Sequence, residues 1–512
     1  MSLLGIDVGT TGCKAIAFNE KGQPLSQAYR EYPLCHPQPG FMELDASLVW
    51  EKTQEAIREA ASGTASDPIR ALAVSSLGEG VLGVSKQGQP LAGAILGFDP
   101  RGQEQVERLR CRLGEERIMS LTGMPLASGY TLPKLMWWKD HEPRFFEQAE
   151  RFLCFQDFVA YKLGAEPAMD LSLAGRTLAL DVTRGDWCNE MLEAAGLQRE
   201  RLSRPVPSGT LIGEVPQGLA RELGLPCGVL IAAGGHDQPA GCLGCGAVQS
   251  GMAMDATGTV ECIAVVLDQP VLSESMRKNS FCCYRHVVPN RFLTLAFNWT
   301  GGSILKWFRD ILGTEELRMA KEQGQDVYDL LLALMPAEPT SLMLLPYFGM
   351  SGTPHFDAES RGIWMGLTLE TNKGELVKSL LEGVSMEMRF NLDLLEKAGV
   401  FVSSLRAIGG GAKSKAWLQL KADVFDRPVQ SLDVSEAACL GMSIMAGVGA
   451  GVYMDPMEGV QASIRCTGET LPNPANASIY SQRRKAYSEL YQTTRPLIQA
   501  LNESTSAEGR TE

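Results

Sequence analysis

The sequence predicts an α/β protein of two domains whose halves share one design, and three observations carry that prediction. At 512 residues the chain is too long to be organised around one hydrophobic core. A local pattern of apolar strand, aspartate, Gly/Thr turn and second apolar strand occurs near the start of each half. Segments with helical spacing fall between strand-like ones, so helices and strands alternate rather than segregate.

The first copy runs from Leu3 to Phe18, with Asp7 before the turn Gly9-Thr10-Thr11-Gly12 and Lys14 on the strand leaving it. Asn19-Glu20-Lys21-Gly22 supplies the next hairpin turn. The second copy runs from Met252 to Val266, with Asp255 before Thr257-Gly258-Thr259. Such recurrence is what a duplicated domain leaves behind. Val229 to Ala233 reads as a strand that ends in Gly234-Gly235-His236, with a helix starting near Asp237. Leu376, Leu380, Val384 and Met388 recur every four residues and mark a helix from near Glu375. Three glycines at 409–411 follow an apolar run and precede a helix to about Phe425. Ser435 to Gly451 is crowded with Ala and Gly, the composition of a helix packed closely on a neighbour. The expected domains are 1–247 and 248–492. The polar tail 493–512 is expected to be mostly disordered.

Bulk properties exclude several classes. A net charge of −13 argues against a general affinity for nucleic acid or anionic membrane. No apolar run reaches spanning length, and the N-terminus lacks the basic region and apolar stretch of a signal peptide, so a cytoplasmic location is expected. The thirteen cysteines are scattered, and the one C-x-x-C, Cys242 to Cys245, has no second pair at zinc spacing. His36, His141, His286 and His355 show no ligand spacing either.

Four elements carry chemistry. Each Gly/Thr turn can aim backbone N–H groups and hydroxyls at a phosphate, and each can equally be an ordinary hairpin. Asp7 suits Mg²⁺, which prefers oxygen ligands, and Lys14 adds a cation beside the same phosphates. The triplet Gly409-Gly410-Gly411 lets a flat ligand or phosphate approach the backbone at a helix N-terminus. It matches neither the Rossmann nor the Walker pattern. Asp237 opens a helix where a carboxylate can take the proton of a hydroxyl attacking ATP, or simply cap that helix.

These elements, in this order, resemble the FGGY family of carbohydrate kinases, from Leu3 to about Tyr453. Gly129 to Trp138 and Arg361 to Leu367, the latter followed by Leu381-Glu382-Gly383-Val384, resemble the family's two signatures. The resemblance implies the actin-like ATPase (ribonuclease H-like) fold, with two duplicated domains flanking a cleft. It implies ATP and Mg²⁺ as cofactors and Asp237 as catalytic base. Thr10, Thr11 and Lys14 match the first phosphate turn and Asp7 the Mg²⁺-associated acid. Thr257, Gly258 and Thr259 match the second turn, and Gly409, Gly410, Gly411 and Ala412 the adenosine loop.

Phe41 to Asp45 and Tyr130 resemble the xylulokinase branch, but the substrate loop departs from it. Gly78-Glu79 stands where xylulokinases carry Met-His, and Gly97 stands where they carry Trp. Glu79 and Gln238 are similar to the glycerol kinase branch, except that Gly78 replaces its Arg. Glu79, Asp99, Tyr130, Asp237 and Gln238 are therefore the expected substrate contacts. A small neutral sugar, a ketose such as xylulose, or a polyol is the expected acceptor. A homodimer stays open, and so does the alternative of a non-catalytic actin-like ATP-binding sensor or scaffold.

Overall fold

The computed structural model describes residues Met1–Glu508. Two mixed sheets dominate it. In the first, Ser2–Val8, Gly12–Asn19 and Pro24–Glu31 form an antiparallel meander. Ile69–Ser76 and then Leu230–His236 extend it in parallel on the other side, with Leu211–Glu214 antiparallel at the edge. The second sheet repeats that plan. Met252–Thr257, Glu261–Leu267 and Phe292–Asn298 form the meander. Ser404–Gly409 and Val429–Leu432 follow in parallel, with Cys466–Thr470 antiparallel at the edge. The short strand Tyr284–Arg285 extends the second sheet beyond Phe292–Asn298. The recurrence in sequence is thus a recurrence of topology.

Parallel pairing aligns three strand ends. Asp7 is in register with Ser75, and Ser76 with His236. Ligands of open α/β sheets bind beyond the carboxyl ends of such strands, and Asp7, Glu79 and Asp237 emerge there.

The helices follow from local chemistry. Lys373–Lys397 begins behind a reciprocal capping box between Asn372 and Glu375, and buries Leu380, Val384 and Met388 completely. Lys415–Phe425 starts at Ser414, whose hydroxyl accepts from the Trp417 amide. Ala437–Gly449 belongs by sequence to the second half, yet packs on Ser2–Val8, Ile69–Ser76 and Leu230–His236 of the first sheet and against the helix Asp237–Gly244. Small residues make this possible. A Cβ at Gly5 would stand 1.8 Å from the Cys439 carbonyl oxygen, one at Gly244 1.8 Å from that of Ala437, and one at Gly441 2.0 Å from that of Ala240.

Gly5→Ala should therefore push this helix off the sheet. Overpacking costs about 1–3 kcal/mol, and a backbone obstacle cannot swing aside as a side chain would, so the upper end is expected. A urea unfolding curve reads the loss as a lower midpoint. An unchanged midpoint would mean that helix and sheet do not meet this closely.

The expected disordered tail is corrected. Pro474–Glu508 is one helix, so 493–508 are helical, and 509–512 lie outside the described residues. Distant partners hold it: the Tyr491 hydroxyl donates to Asp357 at 2.7 Å and the Asn502 amide donates to the Glu359 carbonyl at 2.9 Å. Among the described residues no helix is long and apolar enough to cross a membrane. Cys242 and Cys245 are buried free thiols.

Candidate active site

Asp237 is the first residue of its helix, while His236 occupies the cap position without a capping side-chain bond. Helix capping is therefore not what the Asp237 carboxylate does. Its Oδ1 is buried without a hydrogen-bond partner, and so is Oε1 of the neighbouring Gln238. His236 Nε2 lies 3.0 Å from Asp237 Oδ1, and His236 Nδ1 is 3.0 Å from the Tyr284 hydroxyl. Burial, with Arg176 nearby, holds the His236 ring far below its usual range and therefore neutral. Burial, reinforced by the carboxyls of Asp7 and Glu79, pushes Asp237 up to about 7. A carboxyl poised there can exchange a proton at physiological pH.

Asp7 sits two strands along the sheet, across Ile69–Ser76. Ser75 Oγ donates to its Oδ1 at 2.7 Å, and burial holds its carboxyl above the usual range despite that bond. A buried acid so little neutralised by protein donors fits a divalent cation, which would return it to the ionised form. No group of three or more His, Cys, Asp or Glu among the described residues could hold a metal. Mg²⁺ here would thus be carried chiefly by ATP phosphates, as it commonly is.

Thr10 and Thr11 lie at the tip of the first turn, which Gly9 closes by donating to the Gly12 carbonyl at 2.9 Å. Lys14 lies beside them, but its Nζ is 2.7 Å from both carboxylate oxygens of Glu436, a partner from the other half of the chain. A cavity of about 640 Å³ opens here, lined by Asp7, Thr11, Lys14 and Glu436 among others.

The second turn is built differently. Thr257 is buried, and its hydroxyl is 3.1 Å from Glu261 and accepts from Lys421 Nζ, so it points to the core rather than to a ligand. Lys421 is itself buried and also meets Asp255 at 2.6 Å and Glu261 at 2.5 Å. Gly258 and Thr259 are exposed, and a Cβ at Gly258 would find nothing within 4 Å. The glycine loop folds onto this turn. Gly409 has φ 83°, and a Cβ there would lie 2.4 Å from the Thr257 carbonyl oxygen, so only glycine fits. Gly410 is exposed, Gly411 is buried on Thr257, and Ala412 is half-buried. The structure therefore brings the second turn and the glycine loop together as one open, backbone-rich surface.

On the acceptor side the expected residues divide. Glu79 is half-buried and pairs with Arg176, whose Nε donates to Oε1 at 2.6 Å. Tyr130 is buried and carries the Arg176 guanidinium over its ring at 5.3 Å. Asp99 is different. Its Oδ1 accepts from Arg101 Nε at 2.8 Å and its Oδ2 from Arg101 Nη2 at 2.7 Å, and the Met42 amide also donates to Oδ2 at 2.7 Å. Against the desolvation of burial, Arg101 holds this carboxyl below its usual range. Asp99 is an interior ion pair rather than an oxygen free to receive a sugar hydroxyl. The two departures of the substrate loop prove to be one feature, since a Cβ at Gly97 would lie 3.0 Å from Glu79 Oε2.

Sequence reasoning missed Arg176, Tyr284, Glu436 and Lys421. It also missed Trp299, which brings its ring to 6.4 Å from Phe98 of the other half. No spacing could reveal these, because their partners lie far along the chain.

Comparison with known proteins places this geometry. The N-terminal domain of the FGGY family of carbohydrate kinases matches residues 2–244, and the C-terminal domain of that family matches 253–450. The chain is 31% identical over 508 residues to an autoinducer-2 kinase of Salmonella typhimurium, covering 97% of this chain and 95% of that one. It is 29% identical over 497 residues to a xylulose kinase of Staphylococcus epidermidis, covering 97% of each. A solved xylulose kinase from Rhodospirillum rubrum superposes with a TM-score of 0.87 at 26% identity, over 98% of this chain and all of that one. Two halves of common topology around a cleft define the actin-like ATPase fold. The chain belongs to the FGGY family of carbohydrate kinases and is an ATP-dependent sugar kinase.

Proposed function

We propose that the chain transfers the γ-phosphoryl group of ATP to a hydroxyl of a small neutral ketose or polyol, with Asp237 as general base. The supporting observation is that Asp237 Oδ1 and Gln238 Oε1 are buried without a hydrogen bond, while the Asp237 carboxyl itself is raised to about 7. Asp237 takes the hydroxyl proton as that oxygen bonds to the γ-phosphorus. The bond from phosphorus to the bridging oxygen of ADP breaks, and ADP leaves with its electron pair. Mg²⁺, when bound with ATP, neutralises charge on the phosphates, and Asp7 is the residue that would hold it. Thr10 and Thr11 on one side, and Gly258 and Thr259 on the other, offer polar groups to the phosphates. Gly409, Gly410, Gly411 and Ala412 offer a flat surface for the nucleoside.

Sugars related to xylulose head the candidates, because one of the relatives named above is a xylulose kinase. The test is ADP release with MgATP across neutral ketoses, polyols and sugar acids. One neutral compound should stand out. A panel in which only acids respond would overturn the reading.

The same assay predicts a pH profile. The base must be ionised, so kcat/KM for the acceptor should rise with pH through about 7 and level off above it. A flat profile from pH 5 to 8 would remove Asp237 from the proton transfer.

A further inference from the structure

Glu79 sits at φ 65°, a left-handed conformation that residues other than glycine seldom adopt, so the fold rather than local preference sets its position. Arg176 reaches it from 97 residues away. Both Nε and Nη2 of Arg176 converge on the single oxygen Oε1. Among the described residues no donor is paired with Oε2, which stands beside the bare backbone of Gly97. Gly78 clears the other side: a Cβ there would lie 2.8 Å from His236 Nε2 and 3.5 Å from Arg176 Nε. The guanidinium is flanked by the rings of Tyr130 at 5.3 Å and Tyr284 at 5.4 Å, and its Nη1 is 3.8 Å from Cys282 Sγ, a weak acceptor. Side-chain exposures of 15% for Arg176 and 16% for Glu79 leave both within reach of a ligand. Pairing through one oxygen, rather than fork to fork, leaves Oε2 a free acceptor beside a guanidinium whose Nη1 has only a weak sulfur partner.

We propose that Arg176, paired through one oxygen with Glu79, is a specificity-determining residue that selects neutral acceptors carrying two adjacent oxygens and rejects carboxylates. The proposal rests on the sugar-kinase reading above and names the acceptor class. Glu79 Oε2 accepts one hydroxyl, and the guanidinium donates to the neighbouring hydroxyl or carbonyl oxygen. Glu79 cancels the charge of Arg176, so no net cation faces the acceptor there, and an anionic acceptor meets the Asp237 carboxylate as net repulsion.

The test compares wild type with Glu79→Gln, Arg176→Met, Arg176→Lys and the double variant Glu79→Gln/Arg176→Met. Acceptors are paired neutral polyols and the sugar acids of equal length, read by ADP release and, separately, by calorimetric binding. Arg176→Met should lower kcat/KM for the preferred neutral acceptor by about 100-fold, the scale of a lost charge-assisted bond, with the KM for ATP within about twofold. Arg176→Lys should recover only part of this, because it keeps the charge but not the fork. Glu79→Gln leaves the guanidinium uncancelled and should raise the acid-to-polyol ratio by about 10-fold, the worth of roughly one favourable charge contact. The double variant should lose that gain. An unchanged ratio in Glu79→Gln, or equal slowing of every acceptor in Arg176→Met, would overturn the proposal and leave the pair a structural one. If wild type binds polyols without releasing ADP, the kinase reading falls and the binding ratios still decide the role of Arg176. If it binds none of the panel, both fall.

Discussion

Asp237→Asn is expected to lower kcat by about 10²- to 10⁴-fold, the range attributed to a positioned general base, while making the folded protein more stable at alkaline pH. The amide keeps the size of the side chain but cannot take the acceptor proton. The stability gain follows from the raised carboxyl. Its folded value is about 7, against an ordinary 3.8. A raised acid binds more protons folded than unfolded, so stability falls as pH rises from about 4 to 7 and stays lower above that window. Asparagine does not ionise. The variant should therefore melt above wild type at pH 8, with the gap closing toward pH 4. Loss of activity together with a lower melting temperature at pH 8 would mean that Asp237 supports the fold instead.

Lys421→Met should bring the largest loss of stability, about 3–5 kcal/mol, the usual consequence of removing one partner from a buried ion pair. Lys421 is buried against Asp255 and Glu261, both without exposed surface. One oxygen of each acid, Asp255 Oδ1 and Glu261 Oε2, already lacks a hydrogen bond. Burial holds Glu261 above the usual carboxylate range even with the lysine present. Methionine would leave two carboxyls in an apolar interior with no cation. Because Lys421 also donates to Thr257, the second turn loses its anchor and the KM for ATP should rise as well. Chemical denaturation and ATP kinetics together measure this. Adding Glu261→Gln to the variant should restore part of the stability, since one of the two buried acids left without the lysine is removed. No loss in the single variant would mean that the acids relax to solvent.

What could be read from the sequence was local. The recurrence of strand, acid, turn and strand survives because each copy lies within about fifteen consecutive residues, a repeat short enough to be seen directly. The glycines at 409–411 and the helix behind them were legible for the same reason, and so was the close packing of 437–449. Partners set by topology were not. Arg176 lies 97 residues from Glu79, Lys421 lies 160 from Glu261, and Glu436 lies 422 from Lys14. Read singly, Lys14 offers a cation to phosphate and Thr257 a hydroxyl, yet each is engaged by a distant residue. Asp99 is another kind of miss. Arg101, two residues on, was in view, and a buried Asp-x-Arg that closes on itself leaves no acceptor. The polar tail was misread because its helix depends on Asp357 and Glu359, more than a hundred positions earlier.

The central claim is that a sugar hydroxyl is phosphorylated directly by ATP beside Asp237. The most direct measurement is a single turnover with γ-labelled ATP and the best acceptor from the panel, in wild type and Asp237→Asn at pH 8. The account predicts that label appears in a sugar phosphate as ADP forms, one for one, and that the variant binds both substrates yet transfers label at least about 100-fold more slowly. Label transferred equally fast by the variant, or released to water while the sugar stays unmodified, would contradict it.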